Sequence, residues 1–231
     1  MYLFWDITYI LVIIGAVITL LASIYMQNVY KKYGNIENKA GITGAQFAKL
    51  MLDKKGITDV IIRPIRGHLT DNYNPANNTL SLSQTTFAAN TIGAVGVAGH
   101  EAGHAMQHHV KYWAFRARAW LVPITNFGAK LSWPMIFIGM IFGWNQTLID
   151  IGIVLFAFVF VFHMITLPVE INASRRSIST ITDLKVLSKD ELTATKKILR
   201  AAALTYVAAA ASTLLQLLRL ILRFGNRRDE Y

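Results

Sequence analysis

The sequence predicts a mainly α-helical, polytopic membrane protein with about four transmembrane helices and a small α+β unit. Of its 231 residues, 54% are hydrophobic and only 16% are charged, whereas soluble domains contain about a quarter charged residues. Four apolar runs are each about as long as a bilayer is thick, and polar residues at 27–117 separate the first run from the others. The absence of cysteine excludes disulfide scaffolds, thiolate metal sites and cysteine nucleophiles.

The first apolar run, at residues 7–26, predicts a transmembrane anchor. It contains about 20 residues without a charge, which at about 1.5 Å per residue matches a hydrocarbon core of about 30 Å. The leader MYLFWD contains Asp6 and no basic residue, and no small-residue cleavage site closes the run. We therefore expect a retained anchor rather than a signal peptide.

The next two apolar runs, at 119–142 and 148–167, predict a transmembrane hairpin because only the short sequence GWNQT separates them. Lys130 interrupts the first of these runs, so either its side chain reaches the interface or the helix bends near Pro134. Pro168 ends the second run and fits a helix start or a kink.

The fourth apolar run, at 201–222, is rich in alanine at first and is then interrupted by Gln216 and Arg219. It predicts either a fourth span or a helix whose second half lies along the membrane interface. Its Leu/Arg stretch is suited to bind a partner helix or lipid headgroups.

The distribution of basic residues predicts the orientation of the chain. Residues 27–117 contain ten Lys and Arg and residues 169–199 contain six, whereas the leader and the hairpin turn contain none. Because Lys and Arg accumulate in cytoplasmic loops, we expect both polar segments in the cytoplasm and the N-terminus outside. The basic tail RFGNRRDEY conflicts with this rule if the fourth run spans, and a fourth run that does not span removes the conflict.

The first polar segment predicts a small α+β unit packed on membrane helices. Thr43 is expected to cap an amphipathic helix that ends at Gly56. The sequence VIIRPI at 60–65 predicts a strand, and its proline favours an edge position. Residues 71–83 predict a hairpin that leads into a short strand, and residues 84–109 predict a helix.

The predicted helix at 84–109 carries the sequence HExxH at His100, Glu101 and His104. Side chains four residues apart on a helix share one face at about 5–6 Å, so both imidazoles can reach a single Zn²⁺. Glu101 lies beside them and can act as general base toward a water that the zinc activates. The motif therefore predicts a hydrolytic zinc site.

A catalytic zinc needs a third protein ligand and one open position. His108 lies about 12 Å along the helix from His100, too far to complete the same tetrahedron, and we expect it to contact solvent or polar neighbours. We favour Glu170, which follows the third apolar run just as the chain leaves the membrane on the side of the polar segments. The candidates considered were His68, Asp71, Asp150, His163 and Glu170.

Three motifs, DNYNPANNTLSLS, GVAGHEAGHAMQH and LPVEINASRR, occur in this order in the YugP-type membrane zinc metallopeptidases, which the chain resembles over most of its length. The chain is more distantly similar to HtpX-type membrane proteases. The resemblance implies a zincin-like catalytic unit in which His100, His104 and Glu170 form a gluzincin-like set of zinc ligands. It also implies Glu101 as the catalytic base. HtpX-type enzymes carry an aspartate four residues after the third ligand; here Ser174 takes that position, where its hydroxyl is suited to contact a ligating histidine.

The sequence predicts the location, the partners and the segments of the chain. We expect an integral protein of a bacterial plasma membrane with its active site facing the cytoplasm. Its expected partners are the lipid bilayer, a protein or peptide substrate and other membrane proteins. Nucleic acid is not expected, because the basic residues are spread along loops with no recognition motif. The segments are an N-terminal anchor (1–26), a catalytic segment (27–117), a transmembrane hairpin (118–168), a third-ligand helix and loop (169–199), and a fourth apolar helix with a basic tail (200–231).

These features predict a zinc-dependent metalloprotease that hydrolyses peptide bonds of membrane or misfolded proteins. Glu101 would take a proton from the activated water and pass it to the leaving amine, while residues 80–83, as an edge strand, would pair with an extended substrate. The alternative is a membrane scaffold or adaptor that retains a structural zinc site. Arg175 and Arg176 also fit positive-inside markers at the end of a span. The candidates for supporting the ligands or stabilising the oxyanion are Ser174, Arg175, Arg176, Tyr73 and His68.

Overall fold

The computed structural model describes residues 6–225, and the chain divides into two compact units. The first five residues of the leader, and the tail beyond residue 225, lie outside the described residues. Among the described residues, the apolar unit comprises 6–23, 117–167 and 205–225, and the α+β unit comprises 24–116 and 168–204.

Seven helices and three short strands form the described part of the chain, so the predicted mainly α-helical class is confirmed. The helices are α1 (Tyr9–Tyr33), α2 (Gly44–Asp53), α3 (Gln84–Phe87), α4 (Ile92–His109), α5 (Trp113–Ile141), α6 (Gln146–Leu184) and α7 (Lys189–Phe224). The strands are β1 (Ile61–Ile65), β2 (Asn72–Asn74) and β3 (Thr79–Ser83).

Three helices within residues 6–225 are long and apolar enough to cross a membrane, namely α1, α6 and α7. The predicted runs at 7–26, 148–167 and 201–222 contribute the apolar parts of these helices. The run at 119–142 lies in α5, which carries Arg116, Arg118 and Lys130 and is not among the three. The predicted count of four spans is therefore not confirmed.

In the apolar unit, α5 and α6 form the predicted hairpin. Gly143 and Trp144 reverse the chain between them with φ values of 68° and 61°, in the left-handed region. Lys130 is exposed on α5, which continues through Pro134. The core of this unit joins α5, α6 and α7 through Ile136, Ile149, Phe156, Leu217, Leu220 and Phe224.

Helix α6 continues through Pro168, so of the two predicted alternatives, a helix start or a kink, the helix start is wrong. A proline removes one backbone hydrogen bond and strains one helical turn. The remaining bonds of a 39-residue helix and its packing offset that loss. One continuous helix consequently carries both the third apolar run and Glu170.

In the α+β unit, α2 begins and packs as predicted. Thr43 forms a capping box with the residue three positions later, which satisfies amide groups that the first turn leaves without partners. Phe47, Met51 and Leu52 on its inner face are buried. The helix ends at Asp53, three residues before the predicted end.

The sheet has the strand order β1–β3–β2, with β1 parallel and β2 antiparallel to β3. β1 lies at an edge, as Pro64 predicted, and β2 and β3 form the predicted hairpin. The prediction that residues 80–83 form an edge strand open to a substrate is wrong. Because β3 pairs on both sides and is buried along its whole length, it offers no free backbone edge.

The predicted helix at 84–109 is interrupted, because residues 88–91 separate α3 from α4. Thr91 begins α4 as its N-cap, with its side chain accepting a hydrogen bond from the Ala94 amide at 3.1 Å. The whole HExxH sequence lies within α4. The interruption therefore leaves the motif on one regular helix.

Helices α4 and α6 approach each other closely where α4 has glycine. A Cβ added at Gly103 would lie 2.6 Å from the carbonyl oxygen of Ala173, a distance that real Cβ atoms do not show. A Cβ added at Gly99 of α4 would overlap the hydroxyl of Ser177, which like Ala173 lies on α6. A glycine inside a helix lowers helix stability by up to about 1 kcal/mol relative to alanine. Here the missing side chain allows α4 and α6 to pack closely.

We expect Gly103→Ala to lower the thermal stability of the detergent-solubilised chain, because the α6 backbone must move away from α4. Overpacking of this kind costs about 1–3 kcal/mol. Gly96→Ala is the matched control, since its added methyl would lie 3.2 Å from a side-chain carbon of Thr195 and not against a helix backbone, so a shift of a few tenths of an ångström relieves it. Equal melting temperatures for Gly103→Ala and Gly96→Ala would contradict this account of the packing.

Candidate metal centre

His100 and His104 of α4 converge with Glu170 of α6. One potential ligand atom from each residue lies within 4.8 Å of the other two. The Nε2 atoms of His100 and His104 lie 3.1 Å and 3.7 Å from Glu170 Oε2. Glu170 is only 2% exposed, so two imidazoles surround a buried carboxylate. The structure thus brings together the three residues that the sequence analysis favoured as ligands.

The other ring nitrogen of each histidine contacts a side chain. His100 Nδ1 lies 3.0 Å from the Ser174 hydroxyl, the contact expected at this position. His104 Nδ1 lies 3.0 Å from Gln107 Oε1, and because an amide oxygen only accepts hydrogen bonds, Nδ1 of His104 is the donor. That tautomer leaves Nε2 of His104 free to bind a metal.

Gln107 also joins the two helices that carry the site. Its side-chain amide donates to the Val169 carbonyl at 2.8 Å and to Asn172 Oδ1 at 3.0 Å, both on α6. Asn172 Oδ1 in turn accepts a hydrogen bond from Arg176 Nε at 2.8 Å. The sequence analysis gave Gln107 no role, although its position three residues after His104 places it on the same helix face.

Glu101 lies next to the three convergent side chains and is partly buried. Burial raises the pKa of Glu101 to about 7; the charge of His100 opposes this rise, while the Glu170 and Asp71 carboxylates add to it. The backbone amide of Tyr73, on β2, donates a hydrogen bond to the Glu101 carboxylate. A carboxyl with a pKa near neutrality can both accept and release a proton at neutral pH.

Tyr73 is an oxyanion candidate whose side chain contacts the motif helix α4. Its hydroxyl lies 2.8 Å from His108 Nδ1 and donates to Asn78 Oδ1 at 3.1 Å. Burial raises the pKa of Tyr73 to about 12, so its hydroxyl stays protonated. His108 therefore has the polar neighbour that the sequence predicted.

The remaining candidates lie apart from the three convergent side chains. His68 is exposed in the loop between β1 and β2, and Arg175 is exposed on α6. Asp71 accepts hydrogen bonds from the Ser83 amide and hydroxyl. Asp150 and His163 belong to the apolar unit. Within residues 6–225, His100, His104 and Glu170 form the one group of three such side chains close enough to hold a metal ion.

The donor set fits zinc. Two imidazole nitrogens and one carboxylate oxygen are the three protein ligands of one class of catalytic zinc sites, which keep a fourth position open. The hydrogen bonds that the two Nδ1 atoms make with Ser174 and Gln107 fix the imidazole rings, as supporting residues do in zinc sites. The observed contacts therefore match what a zinc ion would require of these side chains.

This donor set, in a chain with helices of membrane-spanning length, defines the class of membrane zinc metallopeptidases. A family model described as "Putative neutral zinc metallopeptidase" matches residues 8–225, and the chain belongs to that family. The chain is also 41% identical over 201 residues to the "Putative membrane protease YugP" of Bacillus subtilis (strain 168). That similarity covers 87% of this chain and 89% of the relative. No solved structure matches the chain significantly.

We expect Gln107→Leu to weaken zinc binding about 10–100-fold, the usual effect of removing a residue that supports a ligand. The substitution leaves His104 Nδ1 without its acceptor and removes the bridge to α6. Chelator competition on the purified chain measures the zinc affinity. His109→Leu, at the exposed end of the same helix, is the control and should bind zinc as the wild type does. An unchanged affinity in Gln107→Leu would contradict the supporting role.

Proposed function

We propose that the chain is a membrane-embedded zinc protease that hydrolyses peptide bonds of membrane or misfolded protein substrates. The observation that carries this proposal is the convergence of His100, His104 and Glu170 beside Glu101. Three protein ligands leave one position for the chemistry, and a carboxylate lies next to them in the sequence. Membership of a metallopeptidase family supports the same function.

His100, His104 and Glu170 would hold the zinc, which when bound supplies the Lewis acidity that polarises a carbonyl and lowers the pKa of water. Glu101 then accepts the proton of the attacking water and delivers it to the nitrogen of the leaving amine. The hydrogen bond from the Tyr73 amide holds the Glu101 carboxylate in position for both transfers.

Tyr73 is the best supported of the candidates for stabilising the oxyanion. Its phenol remains a donor at neutral pH, because burial keeps its pKa high. Its backbone amide hydrogen-bonds to Glu101, whereas its hydroxyl donates to Asn78 and would have to leave that partner to donate to the developing negative charge. His68 and Arg175 are exposed, and Arg176 donates to Asn172, so these three are less well placed.

We expect two substitutions to separate the roles of the acidic residues. Glu101→Gln should retain bound zinc and lose cleavage of an unfolded protein substrate by at least about 100-fold, the lower range for a general base. Glu170→Ala should lose bound zinc together with cleavage, because only two protein ligands remain. Metal analysis and a peptidase assay on each purified variant measure both effects. Glu37→Gln, at an exposed acid of the α+β unit, is the control for both.

Retained cleavage in Glu101→Gln would exclude this mechanism. Unchanged zinc content in Glu170→Ala would remove Glu170 from the ligand set. The scaffold alternative makes a different prediction. With a structural zinc site, the wild type would bind metal stoichiometrically, but neither the wild type nor any variant would cleave a substrate.

We further propose that the α+β unit faces the cytoplasm of a bacterial plasma membrane, with the α5–α6 turn outside. The support is the excess of Lys and Arg at 27–117 and 169–199 over the turn, which contains none. The ten and six basic residues of these segments would have to leave the cytoplasm in the opposite orientation.

Because the chain has no cysteine, single cysteines report this orientation without background. We expect a membrane-impermeant maleimide added to intact bacterial cells to label Thr147→Cys, which is exposed beside the turn. Lys55→Cys, exposed after α2, should be labelled only once the membrane is permeabilised. The reverse pattern of labelling would show that the α+β unit faces outward.

A further inference from the structure

The apolar unit contains a buried cation that the proposed chemistry does not use. Arg219 of α7 is only 7% exposed, and its guanidinium carbon lies 3.9 Å from the centre of the Tyr9 ring. Among the described residues, its Nε atom has no hydrogen-bond partner. A buried arginine in a helix of membrane-spanning length is costly, and such residues usually mark functional sites.

Among residues 6–225, the acidic residue that attracts Arg219 is Asp6, and it is already engaged. Asp6 forms an ion pair with Arg223, with 3.0 Å between Oδ2 and Nε. Its other oxygen accepts hydrogen bonds from the amide and hydroxyl of Thr8. Asp6 also attracts Arg219, but two guanidinium groups share this single carboxylate. The cluster of Asp6, Arg219 and Arg223 therefore has one positive charge in excess.

Arg219 lines a cavity of about 210 Å³. It is the one charged residue among those described as lining the cavity, and Gln216 adds a side-chain amide beside it. The other walls are apolar or aromatic, with Val12 on α1 and Ile136 on α5. Apolar cavities of about 150 Å³ already bind molecules the size of benzene, so a hydrocarbon chain segment fits this one.

The cavity lies among the ends of its helices. Tyr9 is the first residue of α1 and Phe224 the last of α7, and both line the cavity. Aromatic residues near the ends of membrane helices lie at the level of lipid headgroups. The position, the apolar walls and the excess positive charge therefore match the junction between a phosphate and an acyl chain.

We propose that this cavity is a binding site for an anionic phospholipid. Arg219 donates from its guanidinium to the phosphate, a geometry that suits arginine better than lysine, and Gln216 donates a second hydrogen bond. The first part of an acyl chain lies between Val12 and Ile136. The proposal does not depend on the peptidase function, because none of these residues belongs to the metal centre.

The test uses the full chain, purified in mild detergent and titrated with phosphatidylglycerol, phosphatidylcholine or inorganic phosphate. Bound lipid is counted by native mass spectrometry, and the shift in melting temperature gives the apparent affinity. We expect one phosphatidylglycerol per chain, bound at least about tenfold more tightly than phosphatidylcholine, because the choline cation of phosphatidylcholine offsets the phosphate charge that the excess positive charge beside the cavity attracts. Inorganic phosphate should not stabilise the chain.

Two variants and one control keep the test decisive. Arg219→Gln should lose the preference for phosphatidylglycerol, whereas Lys130→Gln, at an exposed cation of the same unit, should keep it. Val12→Phe fills the cavity while it leaves the arginine in place, and it should weaken binding of phosphatidylglycerol even if Arg219→Gln does not fold.

Three results would overturn the proposal. Wild-type affinity for phosphatidylglycerol in Val12→Phe would show that the cavity does not hold the acyl chain. Equal affinities of the wild type for the two lipids would show that the headgroup charge is not recognised. Stabilisation by inorganic phosphate alone would show a simple anion site in place of a lipid site.

Discussion

The close approach of α4 and α6 is the constraint on which the candidate metal centre depends. Two histidines on one helix can point at a metal without help, but the third ligand comes from a residue about 70 positions later. Gly103 allows the Ala173 backbone to come against α4, and Glu170 is one helical turn before Ala173. A larger side chain at Gly103 would move the carboxylate away from both imidazoles. The close packing of α4 against α6 is therefore required before the three ligand side chains can converge.

His104, Gln107 and Glu170 are buried between these helices, so their polar groups depend on protein partners. A buried carboxylate such as Glu170 is tolerated only with hydrogen-bonding or charged partners, and His100 and His104 provide them. The same contacts bring three ligand atoms together. An arrangement that satisfies a buried acid therefore also assembles a metal-binding set. Gln107 extends this arrangement, because its side-chain oxygen accepts from His104 on α4 and its side-chain amide donates to the Val169 carbonyl on α6.

Features set by nearby residues could be predicted from the sequence, and features set by distant pairing could not. The HExxH spacing, the Thr43 cap and the β2–β3 hairpin each depend on a few neighbouring residues, and all lie where the sequence placed them. The central position of β3 depends on its parallel pairing with β1, which local patterns do not reveal. The sequence left a helix start and a kink open at Pro168 for the same reason, since the surroundings of α6, which continues through this residue, outweigh the local preference of one residue. Glu170 was favoured by its position after an apolar run and by family resemblance, not by spacing.

Basic residues in the apolar helices show why composition alone does not identify a site. Lys130 and Arg219 both interrupt long apolar runs, and the sequence pattern alone does not distinguish their surroundings. Lys130 is exposed, so its flexible chain can carry the charge to a polar surface at little cost. Arg219 is buried between helices beside a cavity, where its desolvation must be offset by something other than water. The stacked Tyr9 ring and the shared Asp6 carboxylate offset part of that cost. Within residues 6–225 Arg219 Nε has no hydrogen-bond partner, and its place at the wall of an apolar cavity is therefore better explained by an anionic ligand than by membrane topology.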